Sequence, residues 1–342
     1  MESWEPFALE TASHPRISIV IPCFNGIAHT YACLRSLRSE LTAALPCEVW
    51  VADDGSTDET ADRVAQVQGV RYRVNAENLG FLRNVNRAVQ RTRGEWILLL
   101  NNDVQVGPGW LMALWQTVTP TTGAVVSQLV YPNGRLQEAG GILWRDGRAT
   151  NFGRGDDPQK PEYQFVRPVD YGSAASLLVR RSLWEAIGGF DEIYAPAYYE
   201  DADLAMALRQ RGYHVLYQPR SIAVHREGAT LGTNLQAGGK RHQALNRWRF
   251  AVKWAAALQS HYLPEEGWGD RVASRRLQGK FLPLVDRAPV RWAQFQAWQA
   301  EGYALSVWLH NGSAADCERL QQLGIEVLPN GRELARCLSC YS

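Results

Sequence analysis

Several features are scarce in this chain of 342 residues. It has no excess of one charge: 36 Lys and Arg face 35 Asp and Glu, so nothing marks a non-specific nucleic-acid binder. No apolar run approaches the roughly eighteen residues that a spanning helix needs. The opening MESWEPFALE holds Glu and Pro where an export signal carries a basic patch and an apolar core. Cysteine is thin, with six residues at positions 23, 33, 47, 317, 337 and 340. The one close pair, Cys337 and Cys340, has no second pair to complete a zinc site or a disulfide framework, so a cytoplasmic setting is expected. No GxGxxG or Walker pattern follows the first strand, which argues against the usual dinucleotide and NTPase readings. Tryptophan, by contrast, is abundant at 13 residues, a density that fills cores and also suits sugar stacking and membrane interfaces.

The chain is organised around Ile97 to Val106, ILLLNNDVQV. Four apolar residues in a row read as a strand buried on both faces. A carboxylate at the end of such a strand sits where open α/β sheets bind ligands. Alternatively, Asp103 caps the next helix, with Gly107, Pro108 and Gly109 as the turn. Neighbouring segments decide between the two. ISIVIPCFNG from Ile17 is a buried strand closed by Pro22 and an Asn25-Gly26 turn, followed by a helix with Tyr31, Leu34, Leu37 and Leu41. Glu48 to Ala52 is a strand ending in Asp53 and Asp54, and a helix begins near Thr57-Asp58. Val70 to Val74 leads through Asn75–Gly80 to a helix with Phe81, Val85 and Val89. This alternation predicts crossover connections and a mainly parallel sheet. Three strand ends then carry polar groups on one sheet edge: Asn25, the pair Asp53 and Asp54, and Asn102 with Asp103. Acidic residues there suit a phosphate held through a divalent metal, and a base or ribose that needs acceptors.

In the second half, Val125 to Tyr131 reads as a strand, and a loop-rich stretch runs from Gly140 to Pro158. Val169 to Val179 begins polar and ends apolar, as a segment crossing the site before joining the sheet would. Tyr198 and Tyr199 precede Glu200, Asp201 and Asp203 at a helix start, where the backbone dipole alone would favour acids. His225 ends the strand SIAVH and is either structural or a ligand. Glycines at 228, 232, 238 and 239 fit a loop that orders on binding. Gln243 to Tyr262 forms a basic aromatic helix, either packed on the catalytic domain or lying on a membrane. Phe281 to Leu328 reads strand, helix, strand, helix, strand, a small appended unit or the start of a second module.

The segments SIVIPCFNG, VADDGSTDET, NLGFLRNVNRAV, GEWILLLNNDVQV, GGFDEIYAPAYYEDADLAMALRQRGYHVLYQP and AVHREG occur in the order of family 2 glycosyltransferases, which the chain resembles over roughly residues 15 to 235. It is most similar to bacterial transferases of O-antigen and other surface polysaccharides. The resemblance implies a GT-A fold, a Rossmann-like mixed sheet with helices on both faces, over residues 15–240, with the nucleotide side in 15–106 and the acceptor side in 107–240. Residues 1–14 are then a tail, 241–275 a helical extension and 276–342 a small βαβ-like segment. By the same resemblance Pro22, Asn25, Asp53, Asp54, Asn78, Gly80, Asn86, Asn102 and Asp103 bind the nucleotide-sugar, UDP by default, with dTDP or GDP as alternatives. Asp103 and His225 hold Mn²⁺ or Mg²⁺. Asp201 is the general base, and Glu200 and Asp203 orient the acceptor, a glycan or lipid-linked glycan, or neighbouring backbone, in an inverting transfer. Asn101 departs from the family's DxD pattern. Peripheral contact with the cytoplasmic face of the inner membrane and neighbouring transferase modules are further expectations. The rival reading is a non-catalytic glycan- or nucleotide-binding module. A nucleotidyltransferase would need a Gly- and Lys/Arg-rich signature after the first strand, which PCFNG lacks.

Overall fold

The computed structural model describes residues 4–227, 242–266, 270, 273–274, 277, 280–287 and 290–330. The glycines at 228, 232, 238 and 239, and Cys337 with Cys340, lie outside them. Among the described residues no helix is long and apolar enough to cross a membrane.

A ten-stranded mixed sheet forms the centre. From one edge its order is Arg167–Pro168, His214–His225, Thr122–Val130, Ser176–Arg180, Trp96–Leu100, Ile17–Cys23, Cys47–Asp53 and Val70–Val74. Six of these eight strands point one way; Ser176–Arg180 and Arg167–Pro168 run against them. Val104–Val106 pairs with the His214 strand, and Leu136–Glu138 with the Thr122 strand. The fully buried runs ISIVIPC, WILLL and TGAVVSQLV occupy the middle, as residues covered on both faces must. Alternation then divides the core. Val20, Ile97 and Leu99 face the layer containing Phe81–Val89 and Glu200–Gln210, while Ile19, Ile21, Leu98 and Leu100 face Ile27–Ser36 and Trp110–Gln116.

Several boundaries differ from the sequence reading. The strand read from Ile97 ends at Leu100 as expected, but Val104–Val106 adds a short second strand after Asn101–Asp103 turn out of the sheet. The helix expected from Thr57-Asp58 starts at Thr60 and is only Thr60–Val64, with Asp58 Oδ1 accepting the Thr60 amide at 3.1 Å. The single helix expected over Gln243–Tyr262 breaks into His242–Lys253 and Ala255–Leu258. The break falls at Trp254, whose buried indole turns inward to bond Asp203.

That bond belongs to a knot beneath the helix Glu200–Gln210. Asp203 Oδ1 accepts Trp254 Nε1 at 2.7 Å and the Tyr194 hydroxyl at 3.0 Å, while Oδ2 accepts Lys253 Nζ at 2.8 Å. Asp203 is thus a packing anchor between two helical segments. Beyond them, Lys280–Arg287, Tyr303–His310 and Glu326–Leu328 form a separate parallel sheet with its own core around Phe295, Val307 and Leu320. A Ser313–Asp316 capping box starts its second helix. Asp203→Ala orphans two buried donors and leaves the Lys253 ammonium with Asp191 alone, and is expected to lower unfolding free energy by about 3 kcal/mol in urea titrations.

Candidate active site

The strand ends at Cys23, Asp53, Leu100, Val130 and His225 border one cavity of about 660 Å³. Pro22, Asp54, Asn78, Gly80, Asn102, Asp103, Glu200, Asp201 and His225 all reach its wall. The segment Ser173–Ala175 crosses it before the Ser176–Arg180 strand, and the Asn101 amide donates to the Ala175 carbonyl at 3.0 Å.

On the nucleotide side Asp54 is a clamp. Its Oδ1 accepts Asn75 Nδ2 and the Leu79 amide, both at 2.9 Å, and Oδ2 accepts the Gly80 amide at 2.8 Å. This fixes the loop carrying Asn78. Gly80 has φ +81°, and a Cβ there would meet Pro196 Cβ at 2.9 Å, so this position requires glycine. Three expected residues stand behind the wall instead of on it. Asn25 Oδ1 accepts the Thr57 amide at 2.8 Å and joins the first turn to the second. Asp53 accepts the Ser56 amide at 2.7 Å and the Tyr72 hydroxyl. Asn86 points to the far side of its helix, where it exchanges two hydrogen bonds with the Phe190 backbone. The asparagine of that helix in the wall is Asn84, which the sequence reading missed; its amide donates to the Ala52 carbonyl at 2.8 Å.

Asp103 and His225 meet at the middle of the edge, with Oδ1 and Nε2 3.2 Å apart. Gln137 explains the orientation of the imidazole. Its Nε2 donates to Glu227 at 3.2 Å, so its Oε1 faces His225 Nδ1 at 3.1 Å and requires the proton on that nitrogen. Nε2 then presents a lone pair to a carboxylate, a contact that needs a cation between them, proton or metal. Burial works to raise the Asp103 carboxyl, but the His225 hydrogen bond and charge hold it below the usual range. Asn101 Oδ1 is buried in the same wall without a partner. This N/O donor set fits Mn²⁺ or Mg²⁺. No group of three His, Cys, Asp or Glu able to hold a metal exists among the described residues, so the remaining ligands would be diphosphate and water oxygens.

The start of the Glu200 helix lines the same cavity. Tyr198 and Tyr199 both have left-handed backbones, with φ +78° and +77°. The buried amide of Asn246 holds them, donating to the carbonyls of Tyr194, Ala197 and Tyr198 at 2.7, 3.0 and 3.0 Å. The Tyr199 hydroxyl donates to Gly147 O at 3.0 Å. Glu200 is buried with Oε2 unpartnered, and burial together with the Asp201 charge pushes its carboxyl well above the normal range. Asp201 is partly open to the cavity, and burial lifts it to about 6 against the amides of Ala202 and Ala174. Glu200 therefore keeps its proton while Asp201 ionises at neutral pH. Gln137, Glu138 and Arg154 also line the wall; the sequence reading placed Arg154 in a loop-rich stretch and assigned nothing to Gln137 and Glu138.

A mixed, mainly parallel sheet with helices on both faces and a cavity at its strand ends is the GT-A fold of glycosyltransferases. The model for glycosyl transferase family 2 matches residues 18–178. An N-acetylglucosaminyl-diphospho-decaprenol L-rhamnosyltransferase of Mycobacterium tuberculosis is 30% identical over 315 residues, covering 79% of this chain and 98% of that protein. The O-antigen biosynthesis protein RfbC of Myxococcus xanthus is 31% identical over 42% of this chain and 12% of its own length. The crystal structure of GalNAc-T7 with UDP, GalNAc and Mn²⁺ superposes with a TM-score of 0.57 at 15% identity, covering 72% of this chain and 49% of that one. The chain belongs to glycosyltransferase family 2. It spans 25% of the length of an uncharacterised Sinorhizobium fredii protein to which it is 32% identical.

Because Asn246 holds the turn before Asp201 without touching the nucleotide side, Asn246→Ala is expected to cut kcat by about tenfold. Nucleotide affinity by calorimetry should stay within about twofold if the clamp acts on the turn alone.

Proposed function

We propose that this chain transfers a sugar from a nucleoside-diphosphate donor to a hydroxyl of a growing surface glycan, with inversion at the anomeric carbon. The observation that carries the reading is one cavity whose wall holds both the Asp103–His225 pair and the raised, partly open Asp201. Asp201 takes the proton of the acceptor hydroxyl as its oxygen forms the bond to the anomeric carbon and the sugar–phosphate bond breaks. A carboxylate lifted to about 6 is ionised at neutral pH, yet more basic than an ordinary aspartate. Glu200, protonated beside it, positions the acceptor without competing for that proton. Asp103 and His225 would hold a divalent cation, Mn²⁺ or Mg²⁺, which would offset charge on the departing diphosphate. Asp54, Asn78 and Gly80 shape the nucleotide pocket, with UDP the default and dTDP or GDP as alternatives. The name of the Mycobacterium relative supports a lipid-diphosphate-linked glycan as acceptor, and that of the Myxococcus relative supports surface-polysaccharide assembly.

Thermal shift with UDP, dTDP, GDP and CDP, each with and without Mn²⁺, tests the donor site. One nucleotide should stabilise the protein only with metal, by about 2.7 kcal/mol at a hundredfold excess over Kd. Asp103→Ala should abolish that metal dependence; no shift with any nucleotide would point instead to a glycan-binding module. Asp201→Asn should lower kcat by about 10³-fold while leaving the nucleotide shift intact. In the wild type, kcat should rise with pH through about 6 as Asp201 loses its proton. An acid limb far from that value would reassign the base.

A further inference from the structure

Glu138 has no role in the reading above, yet its surroundings are unusual for a carboxyl. It ends the strand Leu136–Glu138, is 1% exposed and sits in the cavity wall. Its Oε1 accepts the Ser173 amide at 2.8 Å, its one hydrogen-bond partner among the described residues. The charged and titratable groups around it come from every neighbouring element. Asp201 faces it from the catalytic helix, Glu227 from beyond the His225 strand, Arg154 from the loop after Ala149–Asn151, Tyr171 from the segment before Ser173, and Tyr217 from the His214 strand. Arg154 is committed to Glu227 at 2.6 Å. The Tyr217 hydroxyl donates to Tyr163 O at 2.9 Å and that of Tyr171 to Asn151 at 3.4 Å. Two carboxylates therefore bear on Glu138, and the nearby guanidinium is already paired.

We propose that Glu138 is a specificity-determining residue whose side chain gives a hydrogen bond to a sugar hydroxyl at the point of transfer. The inference rests on the transferase reading and extends it. Burial, with Asp201 adding to it, lifts the carboxyl to about 8, so it carries a proton at neutral pH. A neutral carboxylic acid has one O–H to donate while its other oxygen keeps the Ser173 amide. A sugar hydroxyl accepts that bond, whereas a phosphate oxygen is excluded from a wall this acidic unless a cation accompanies it.

Glutamine preserves both functions, because its oxygen can accept from Ser173 and its NH₂ can donate. Alanine preserves neither. The test uses the full chain with Mn²⁺, UDP-glucose, UDP-N-acetylglucosamine, dTDP-L-rhamnose and GDP-mannose as donors, and a synthetic N-acetylglucosaminyl diphospholipid as acceptor. E138A should lower kcat/KM by about tenfold, and E138Q should recover most of the loss. A rise confined to the donor KM assigns the hydroxyl to the donor sugar, and one confined to the acceptor KM to the acceptor. Wild-type activity should fall as pH rises through about 8, where Glu138 loses the proton it donates, and E138Q should lack that fall. If E138A does not fold, the pH profile of E138Q decides by itself. The proposal is overturned if E138Q, with wild-type melting and nucleotide binding, is as impaired as E138A or keeps the alkaline limb. Wild-type protein that turns over no donor overturns the transferase reading with it, whereas normal turnover with indifferent Glu138 variants overturns the Glu138 assignment alone.

Discussion

Everything on the acceptor side depends on two consecutive tyrosines held in a left-handed backbone. Each L-residue in that conformation costs on the order of 1–2 kcal/mol, so the turn persists only where its surroundings over-determine it. The surroundings here are a single amide. Asn246 Nδ2 has two hydrogens and three carbonyl acceptors within 3.0 Å, so one hydrogen is shared. The Tyr199 ring adds a tilted contact with Phe250, 5.3 Å between centroids. Both contacts come from the His242–Lys253 helix, and the knot around Asp203 holds that helix in turn. The family match ends at residue 178, so Asp201, His225 and the Asn246 amide that holds the turn before Asp201 all lie beyond it, while Asp54, Asn78 and Asp103 lie within it.

Among the described residues the cavity wall holds Asp54, Asp103, Glu138, Glu200, Asp201 and Glu227 against the single guanidinium of Arg154. Identical carboxyl chemistry is separated into roles by environment alone. Amide donors saturate Asp54, which becomes a structural clamp. His225 holds Asp103 low and Arg154 pairs with Glu227. Glu138, Glu200 and Asp201 lack a cation, and burial raises all three. Of these, Asp201 has the most access to the cavity and the smallest rise, which is why it titrates in a useful range.

How much of this was legible in the sequence follows from how local each signal is. The buried runs ending in Pro22, Asp54 and Asp103 declare strand and strand end within a few residues, and the parallel alternation puts those ends on one edge. Asp201 was singled out by the resemblance, since acids at a helix start are favoured by the backbone dipole alone. Asn84 and Asn86 mark the limit. Two residues apart on one helix, they face opposite sides, and only packing against the sheet decides that Asn84 turns to the cavity and Asn86 to Phe190. Gln137 and Glu138 were hidden for a different reason. Their three-residue strand exists only by pairing with Thr122–Val130, and so short a run, between the Pro132–Gly134 turn and the glycines from Gly140, carries no strand pattern of its own. Asn246 had no local signal, because its partners lie some fifty positions earlier.

The asparagine at position 101 becomes intelligible in the same electrostatic terms. An aspartate there would add one more buried anion beside Asp103 in a wall whose one guanidinium is already paired. A buried ion without a cation costs several kcal/mol, far more than an unpaired amide oxygen at about 1–3 kcal/mol. The amide keeps an acceptor in the wall, the unpartnered Oδ1, while its backbone N–H stays tied to the Ala175 carbonyl. Asn101 therefore retains the shape of the strand end and leaves a single carboxylate, Asp103, to face His225. The negative charge at this strand end is concentrated at one residue, and Gln137 fixes the imidazole that faces it.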